Sequence, residues 1–125
     1  EELCNFVNYC KFDKLGVFEF SPEEDTPAFD FENQIEDSVK KSRAQTIMDI
    51  HYSITEESNN NIVGSVFEVV IDFKDGENYL GRSYMDAPEI DASIIVQSDK
   101  ELKIGNFYNV KIISYDGYDL IGRVI

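Results

Sequence analysis

From Val63 onward, apolar and polar residues alternate with a period of two, which is the pattern of half-buried β-strands. In the first strand, the apolar positions form one predicted face, which consists of Phe67, Val69, Ile71 and Phe73. The alternation predicts four further strands, over residues 78–85, 93–97, 107–115 and 118–124. The second half of the chain is therefore predicted to consist of β-strands.

Two Asp-Gly pairs, at residues 75–76 and 116–117, predict hairpins between the first two strands and between the last two. A longer connection over residues 99–106 contains Leu102 and Ile104, which we expect to close one end of a barrel. Five short antiparallel strands in about 60 residues favour a small closed or nearly closed β-barrel of the OB-like kind. Closure removes the unpaired edges that an open sheet of this size would expose.

One short repeat occurs within these strands, because Leu80-Gly81-Arg82 recurs as Ile121-Gly122-Arg123. A glycine inside a strand usually marks a bulge or a close approach of another backbone. The repeat indicates related roles for the second and fifth strands, unless it is a coincidence.

The N-terminal residues have the pattern of one helix followed by one buried strand. The helical face, predicted from about residue 2 to residue 9, consists of Leu3, Phe6, Val7 and Cys10. The apolar run 15–20 predicts the strand, and residues 21–31, which contain two prolines, predict a loop. A helix and a parallel strand are half of an α/β repeat, which requires further strands and helices. We therefore expect residues 1–31 to be the end of a larger α/β domain.

A long amphipathic helix is predicted between these regions, from about Glu36 to Thr55. Its apolar stripe consists of Ile35, Val39, Ile47, Ile50 and Ile54. His51 lies off this stripe and has no Cys or carboxylate at a ligand spacing, so we expect a surface residue without a chemical role. The polar run 56–61 is expected to end the helix. The end of the α/β domain, the connector helix and the β-barrel are thus predicted over residues 1–31, 32–61 and 62–125.

The chain is strongly acidic, with 25 acidic and 11 basic residues and a net charge of −14, and both of its halves are acidic. Nucleic-acid affinity comes largely from Lys and Arg side chains, so this charge disfavours unaided nucleic-acid binding. A basic protein would instead be attracted, and more strongly at low salt. No apolar run is long enough for a membrane span. Cys4 and Cys10 fit neither a disulfide scaffold nor a zinc pattern, which favours a reducing cytoplasm.

A short acidic loop follows the second strand, in which Asp86, Glu89 and Asp91 surround Pro88. Because proline restricts its own φ and the conformation of the preceding residue, we expect the carboxylates in a stiffened loop. The loop is either a solvated turn or a surface for a basic partner, and it lacks the spacing of a calcium loop. The preceding strand adds aromatic and donor groups that suit the same partner. The candidate substrate-binding residues are Tyr79, Arg82, Tyr84, Asp86, Glu89 and Asp91.

The segment GRSYMDAPEID, with the later segments LKIGNFYNVKI and DLIGRVI, resembles the TRAM domain of the radical-SAM methylthiotransferases that modify ribosomal protein S-twelve. The upstream segment GVFEFSPEEDTPAF resembles the end of the radical-SAM barrel in that family. The resemblance implies an α+β chain, in which an amphipathic helix joins the last helix and strand of that barrel to a five-stranded TRAM barrel. It also implies methylthiolation of the β-carbon of an aspartate in ribosomal protein S-twelve, a basic protein. The TRAM barrel would recognise this substrate, and the upstream radical-SAM domain of the same chain would perform the chemistry.

Cysteines hold the cofactors of this family. A CxxxCxxC run holds one 4Fe-4S cluster, which binds S-adenosylmethionine, and three cysteines of an N-terminal domain hold a second cluster. Neither set occurs in this chain. The resemblance therefore implies these cofactors for the full-length enzyme only, and it implies no catalytic or metal-ligating residue in this chain, which should be inactive alone. Two alternatives stay open: an RNA-binding TRAM domain of a tRNA methylthiotransferase, and a free-standing acidic adaptor barrel.

Overall fold

The computed structural model describes residues 1–90 and 93–125. These residues form two compact units, Glu1–Ile54 and Thr55–Ile125. The division between the units falls inside a helix. The three segments predicted above stay a prediction.

The N-terminal unit begins with helix α1, which spans Glu2–Cys10 and confirms the helix predicted over residues 2–9. The helix buries Val7 and ends where Lys11 adopts a left-handed backbone conformation with φ of 49°. The Lys11 N–H donates to the Val7 carbonyl over 3.0 Å and so satisfies one of the last carbonyls of the helix. Within the predicted loop 21–31, a short 3-10 helix spans Pro27–Asp30.

Residues 15–20 differ from the prediction, because they do not form a strand. All strands of the described residues lie in the other unit, so this run has no partner for a hydrogen-bonded ladder within its own unit. Phe18 is 94% exposed, which is incompatible with a buried strand. Phe20 is held instead by Lys40, whose Nζ donates to the Phe20 carbonyl over 2.9 Å and lies 5.4 Å from the ring centroid.

Helix α2 spans Asp37–Ile62 and is therefore longer than the predicted connector helix. The expectation that residues 56–61 end the helix was wrong. Asn59 is buried, and its Nδ2 donates to the carbonyl oxygen of Gly117 over 3.0 Å. One turn further, Ile62 packs against the core of the β-barrel. These long-range contacts outweigh the weak helix propensity of the asparagine run.

His51 on α2 is also placed differently from the prediction. Its side chain is buried, and Nε2 lies 2.9 Å from the carbonyl oxygen of Phe12. Because a carbonyl only accepts hydrogen bonds, Nε2 is the donor. A contact that spans 39 residues of sequence left no local signal from which the burial could be predicted.

The C-terminal unit is a closed barrel of five strands in the order β1-β2-β3-β5-β4. The strands β1 to β5 span Val66–Asp75, Asn78–Arg82, Ile94–Gln97, Phe107–Asp116 and Asp119–Val124. Four neighbouring pairs are antiparallel as predicted, whereas β3 and β5 are parallel. This arrangement confirms the OB-like barrel and adds the parallel pair that closes it. In the described part of the chain, no helix has the length and apolar character needed to cross a membrane.

The barrel core contains inward-facing residues from every strand and one residue from the connection between β3 and β4. These residues are Val69, Ile71, Tyr79, Ile94, Val96, Leu102, Val110, Ile112 and Leu120. Leu102 closes the barrel as predicted, but Ile104 is 62% exposed and does not. Phe73 is 51% exposed, because a bulge between Ile71 and Phe73 turns it out of the predicted face.

Gly81 and Gly122, the central residues of the short repeat, are both buried inside the barrel wall. A Cβ atom on Gly81 would lie 2.5 Å from the carbonyl oxygen of Val70, and one on Gly122 would collide with Cγ1 of Val110. Both positions therefore require glycine so that neighbouring strands can approach closely.

Replacing either glycine by alanine (Gly81→Ala or Gly122→Ala) should overpack the barrel and lower its free energy of unfolding by about 1–3 kcal/mol. The measurement is urea unfolding followed through the amide NMR signals of the barrel. Gly16→Ala is the matched control, because its added Cβ would lie an ordinary 3.7 Å from the Phe18 side chain. If Gly81→Ala and Gly122→Ala were as stable as the control, neighbouring strands would not approach closely at these two glycines.

Asn59→Ala should destabilise the barrel by about 1–3 kcal/mol, since it leaves the carbonyl of Gly117 without the Asn59 donor. The adjacent variant Asn60→Ala is the control, because Asn60 is exposed and the same change there affects only helix propensity. Thermal unfolding of both variants measures the difference. A barrel that is as stable with Asn59→Ala as with Asn60→Ala would exclude a structural role for this hydrogen bond.

Candidate functional site

The strand order brings two acidic connections to the same end of the barrel. Since β2 and β3 are antiparallel and β3 and β5 are parallel, β2 ends where β3 and β5 begin. The Ser93 N–H donates to Asp119 Oδ1 over 3.2 Å and so links the first of these connections to the start of β5. We call this the acidic end, and its described carboxylates are those of Asp86, Glu89, Asp116 and Asp119.

Asp86 organises the start of the loop between β2 and β3. Its Oδ2 accepts hydrogen bonds from both the backbone N–H and the hydroxyl of Ser83, each over 3.0 Å. The hydroxyl of Ser83 in turn accepts from the Met85 N–H over 3.2 Å. This predicted site residue therefore supports the turn, with one carboxylate oxygen committed to the loop itself.

Arg82, the last residue of β2, forms a two-pronged ion pair with Asp72 on β1. Nε lies 2.7 Å from Oδ2 and Nη2 lies 2.8 Å from Oδ1. The hydrogen bonds with Asp72 raise the pKa of the Arg82 guanidinium above its ordinary value, partial desolvation opposes this shift, and the charges of Asp72, Asp86 and Glu89 add to it. The arginine therefore stays charged and is held in one orientation, so it is less available to a partner than the sequence suggested.

Two of the other predicted site residues, Tyr84 and Glu89, are exposed to solvent. Tyr84 is 86% exposed, and its ring contacts that of Phe67 at a centroid distance of 6.3 Å and an interplanar angle of 53°. Glu89 is exposed and adopts a left-handed backbone conformation with φ of 62°. Next to it, Ile90 is 83% exposed. Asp91 lies outside the described residues.

Tyr79 does not belong to the site, which corrects the prediction. Its side chain is 3% exposed and lies in the barrel core. The phenol oxygen accepts a hydrogen bond from the Leu102 N–H over 3.2 Å, inside the barrel. Tyr79 faces inward because it occupies the position next to the outward-facing Leu80, and successive side chains of a strand point to opposite faces.

Asp116 and Asp119 were missed as site residues, because Asp116-Gly117 was interpreted only as a turn. No local signal in the sequence could have found them, because the short repeat aligns Asp116 with Asp75, which lies at the opposite end of the barrel. The parallel pairing of β3 with β5 then places these acids beside the loop after β2.

The described residues do not fit the cofactors that the resemblance implies. Among residues 1–90 and 93–125, no group of three or more His, Cys, Asp or Glu side chains is placed to hold a metal ion. The chain has two cysteines, and Cys4 is half-buried while Cys10 is exposed on α1. A cluster that requires three thiolates cannot be held by this set.

Asp72→Asn should release the guanidinium of Arg82, because a neutral amide holds it less strongly than a carboxylate. The expected result is loss of the slow solvent exchange of the Arg82 Nε–H, measured by NMR. Asp99→Asn is the control, because the pair between Arg123 and Asp99 is longer, at 3.2 Å, and both side chains are mostly exposed. An unchanged Arg82 signal in Asp72→Asn would show that the ion pair does not order this strand end.

Comparison with known proteins agrees with this architecture. Residues 63–125 match the family model described as TRAM domain. The chain is also similar to proteins named Ribosomal protein uS12 methylthiotransferase RimO. It is 44% identical over 125 residues to that of Acetivibrio thermocellus, 42% over 124 residues to that of Clostridium botulinum and 39% over 127 residues to that of Petrotoga mobilis.

These alignments cover 98%, 99% and 100% of the chain, but only 28%, 28% and 29% of the respective relatives. The chain thus spans less than a third of the length of these proteins, and the match lies in their C-terminal part. The resemblance that the acidic loop segment carried in the sequence is confirmed.

Proposed function

The chain belongs to the TRAM-domain family, and from this premise we propose that it is the substrate-recognition part of a radical-SAM methylthiotransferase acting on ribosomal protein uS12. The whole enzyme would use S-adenosylmethionine and two 4Fe-4S clusters to methylthiolate the β-carbon of an aspartate. Those groups would be bound in the same polypeptide upstream of this chain, and this chain alone would be inactive. With a ribosomal protein as substrate, the enzyme would act in the cytoplasm.

The observation that carries the proposal is the charge of the barrel and its acidic end. Residues 61–125 contain eleven acidic and six basic residues, a net charge of −5. The barrel displays the exposed carboxylates of Glu89 and Asp116 at one end, and the exposed ring of Tyr84 belongs to the same connection as Glu89. Such a surface attracts lysine and arginine side chains and steers a basic protein toward it.

The second candidate, an RNA-binding TRAM domain, is favoured by the exposed aromatic ring of Tyr84, on which a base could stack. Stacking proteins, however, also provide a cationic groove along the backbone. Here the one arginine of the described loop end, Arg82, is already paired with Asp72. The charge distribution therefore supports the protein substrate.

Titration of the 125-residue chain with purified uS12 should show binding that weakens as salt rises, because the attraction between the two proteins is screened. The measurement is calorimetry at several salt concentrations. The double variant Glu89→Gln/Asp116→Asn should lower the affinity by about tenfold at low salt, since it removes two exposed charges. It breaks none of the hydrogen bonds described above, and Asn-Gly keeps the turn.

The matched control is Asp75→Asn/Glu77→Gln, which makes the same change in the Asp-Gly hairpin between β1 and β2, at the opposite end of the barrel. This control should bind uS12 like the unchanged chain. Tight binding of tRNA with a steep salt dependence, and none of uS12, would reverse the choice of substrate. Equal losses in the two double variants would show that net charge, rather than the acidic end, determines affinity.

A further inference from the structure

An apolar row crosses the outer surface of the barrel. Phe73 on β1 is the register partner of Leu80 on β2, Leu80 is the partner of Ile95 on β3, and Ile95 is the partner of Ile121 on β5. The four side chains are therefore neighbours across four consecutive strands. We call them the outer row.

The alternation of burial shows that the outer row faces away from the core. The residues on either side of Leu80, Ile95 and Ile121 are buried, for example Ile94 and Val96 around Ile95, whereas these three members are half-buried. Phe73 joins this face because the bulge in β1 turns it outward, and it is 51% exposed. Polar residues are expected on the outer face of a small barrel, and four neighbouring apolar side chains there, of which Phe73 is exposed, form a candidate interaction surface.

Charged groups lie directly beside the outer row on the same face. Asp119 precedes Ile121 by two residues, and Arg82, paired with Asp72, follows Leu80 by two residues. Because alternate residues of a strand share a face, these groups extend the row toward the acidic end. An apolar strip that leads into a cluster of carboxylates complements a segment that carries both apolar and basic side chains.

We propose that the outer row and the acidic end together bind an extended basic segment of the protein substrate, with its apolar side chains on the outer row and its cations at the acidic end. This proposal rests on the proposed function and names the chemistry of the bound segment. In the closed barrel every described strand pairs with two neighbours, which favours recognition through side chains over addition of a strand. Recognition depends on the side chains of the segment.

The composition of the outer row favours a polypeptide over a nucleic acid. Bases bind by stacking on flat aromatic rings, whereas three of the four side chains in the row are aliphatic and branched. Leucine, isoleucine or valine side chains pack well on such a surface and gain free energy in proportion to the apolar area buried.

The test uses the double variant Ile95→Thr/Ile121→Thr, in which threonine keeps the branching that strands favour while introducing a polar group. Calorimetry with uS12 should show an affinity loss of about tenfold or more at both about 0.05 M and about 0.5 M NaCl, because burial of apolar surface is not screened by salt. The loss caused by Glu89→Gln/Asp116→Asn should instead shrink at high salt. Amide NMR signals of Leu80, Ile95 and Ile121 should shift on binding.

The control variant Val66→Thr changes a half-exposed strand residue outside the outer row and should bind normally. Thermal unfolding checks that all variants are folded. If Ile95→Thr/Ile121→Thr binds uS12 as well as Val66→Thr does, the proposed role of the outer row in binding is wrong, while the proposed function stands. If the double variant loses tRNA binding instead, the assignment to a polypeptide is overturned.

A pair of lysine-rich peptides separates the two proposals. One peptide contains leucines at intervals, and the other contains serines at the same positions. If the chain binds the leucine peptide more tightly, and only with an intact outer row, but does not bind uS12, the proposed substrate is wrong and the outer row is supported. If the chain binds neither uS12 nor the leucine peptide, both proposals are overturned.

Discussion

The parallel pairing of β3 with β5 is the constraint on which the rest of the barrel depends. It closes a sheet that four antiparallel pairings would leave open, and it places the β4–β5 turn beside the loop that follows β2. The close strand approach at Gly81 and Gly122 allows the wall to close, because neither site has room for a Cβ atom. Alternation along the strands turns Leu80, Ile95 and Ile121 to the outer surface, where they form a row that leads toward the carboxylates.

Much of the barrel could be predicted from the sequence, because alternation and Asp-Gly turns are local signals. All five strands and both hairpins lie close to where these signals indicate, although β2 ends at Arg82 and not at Met85. The outward position of Phe73 and the exposure of Ile104 could not be predicted in this way. A bulge shifts the alternation by one residue, and a loop side chain is placed by contacts that are distant in sequence.

In helix α2, contacts that are distant in sequence likewise determine features that the sequence pattern did not predict. Buried His51 and Asn59, through which α2 continues, both form hydrogen bonds with residues about 40 or more positions away. In the candidate site, the composition of the loop indicated its charge, but not that Asp86 supports the turn or that Arg82 is already paired. Hydrogen-bond partners of this kind are determined by the register of neighbouring strands, which a single sequence does not reveal.

Hydrogen bonds hold both ends of the connection between β2 and β3. Ser83 bonds with Asp86 at the first end, and the Ser93 N–H bonds with Asp119 at the second. Substitutions at exposed residues between these hydrogen bonds, such as Glu89 and Ile90, would leave the hydrogen bonds themselves in place. During evolution, such a loop could change its target preference without loss of foldability. One scaffold could thereby serve modifying enzymes that act on chemically different macromolecules.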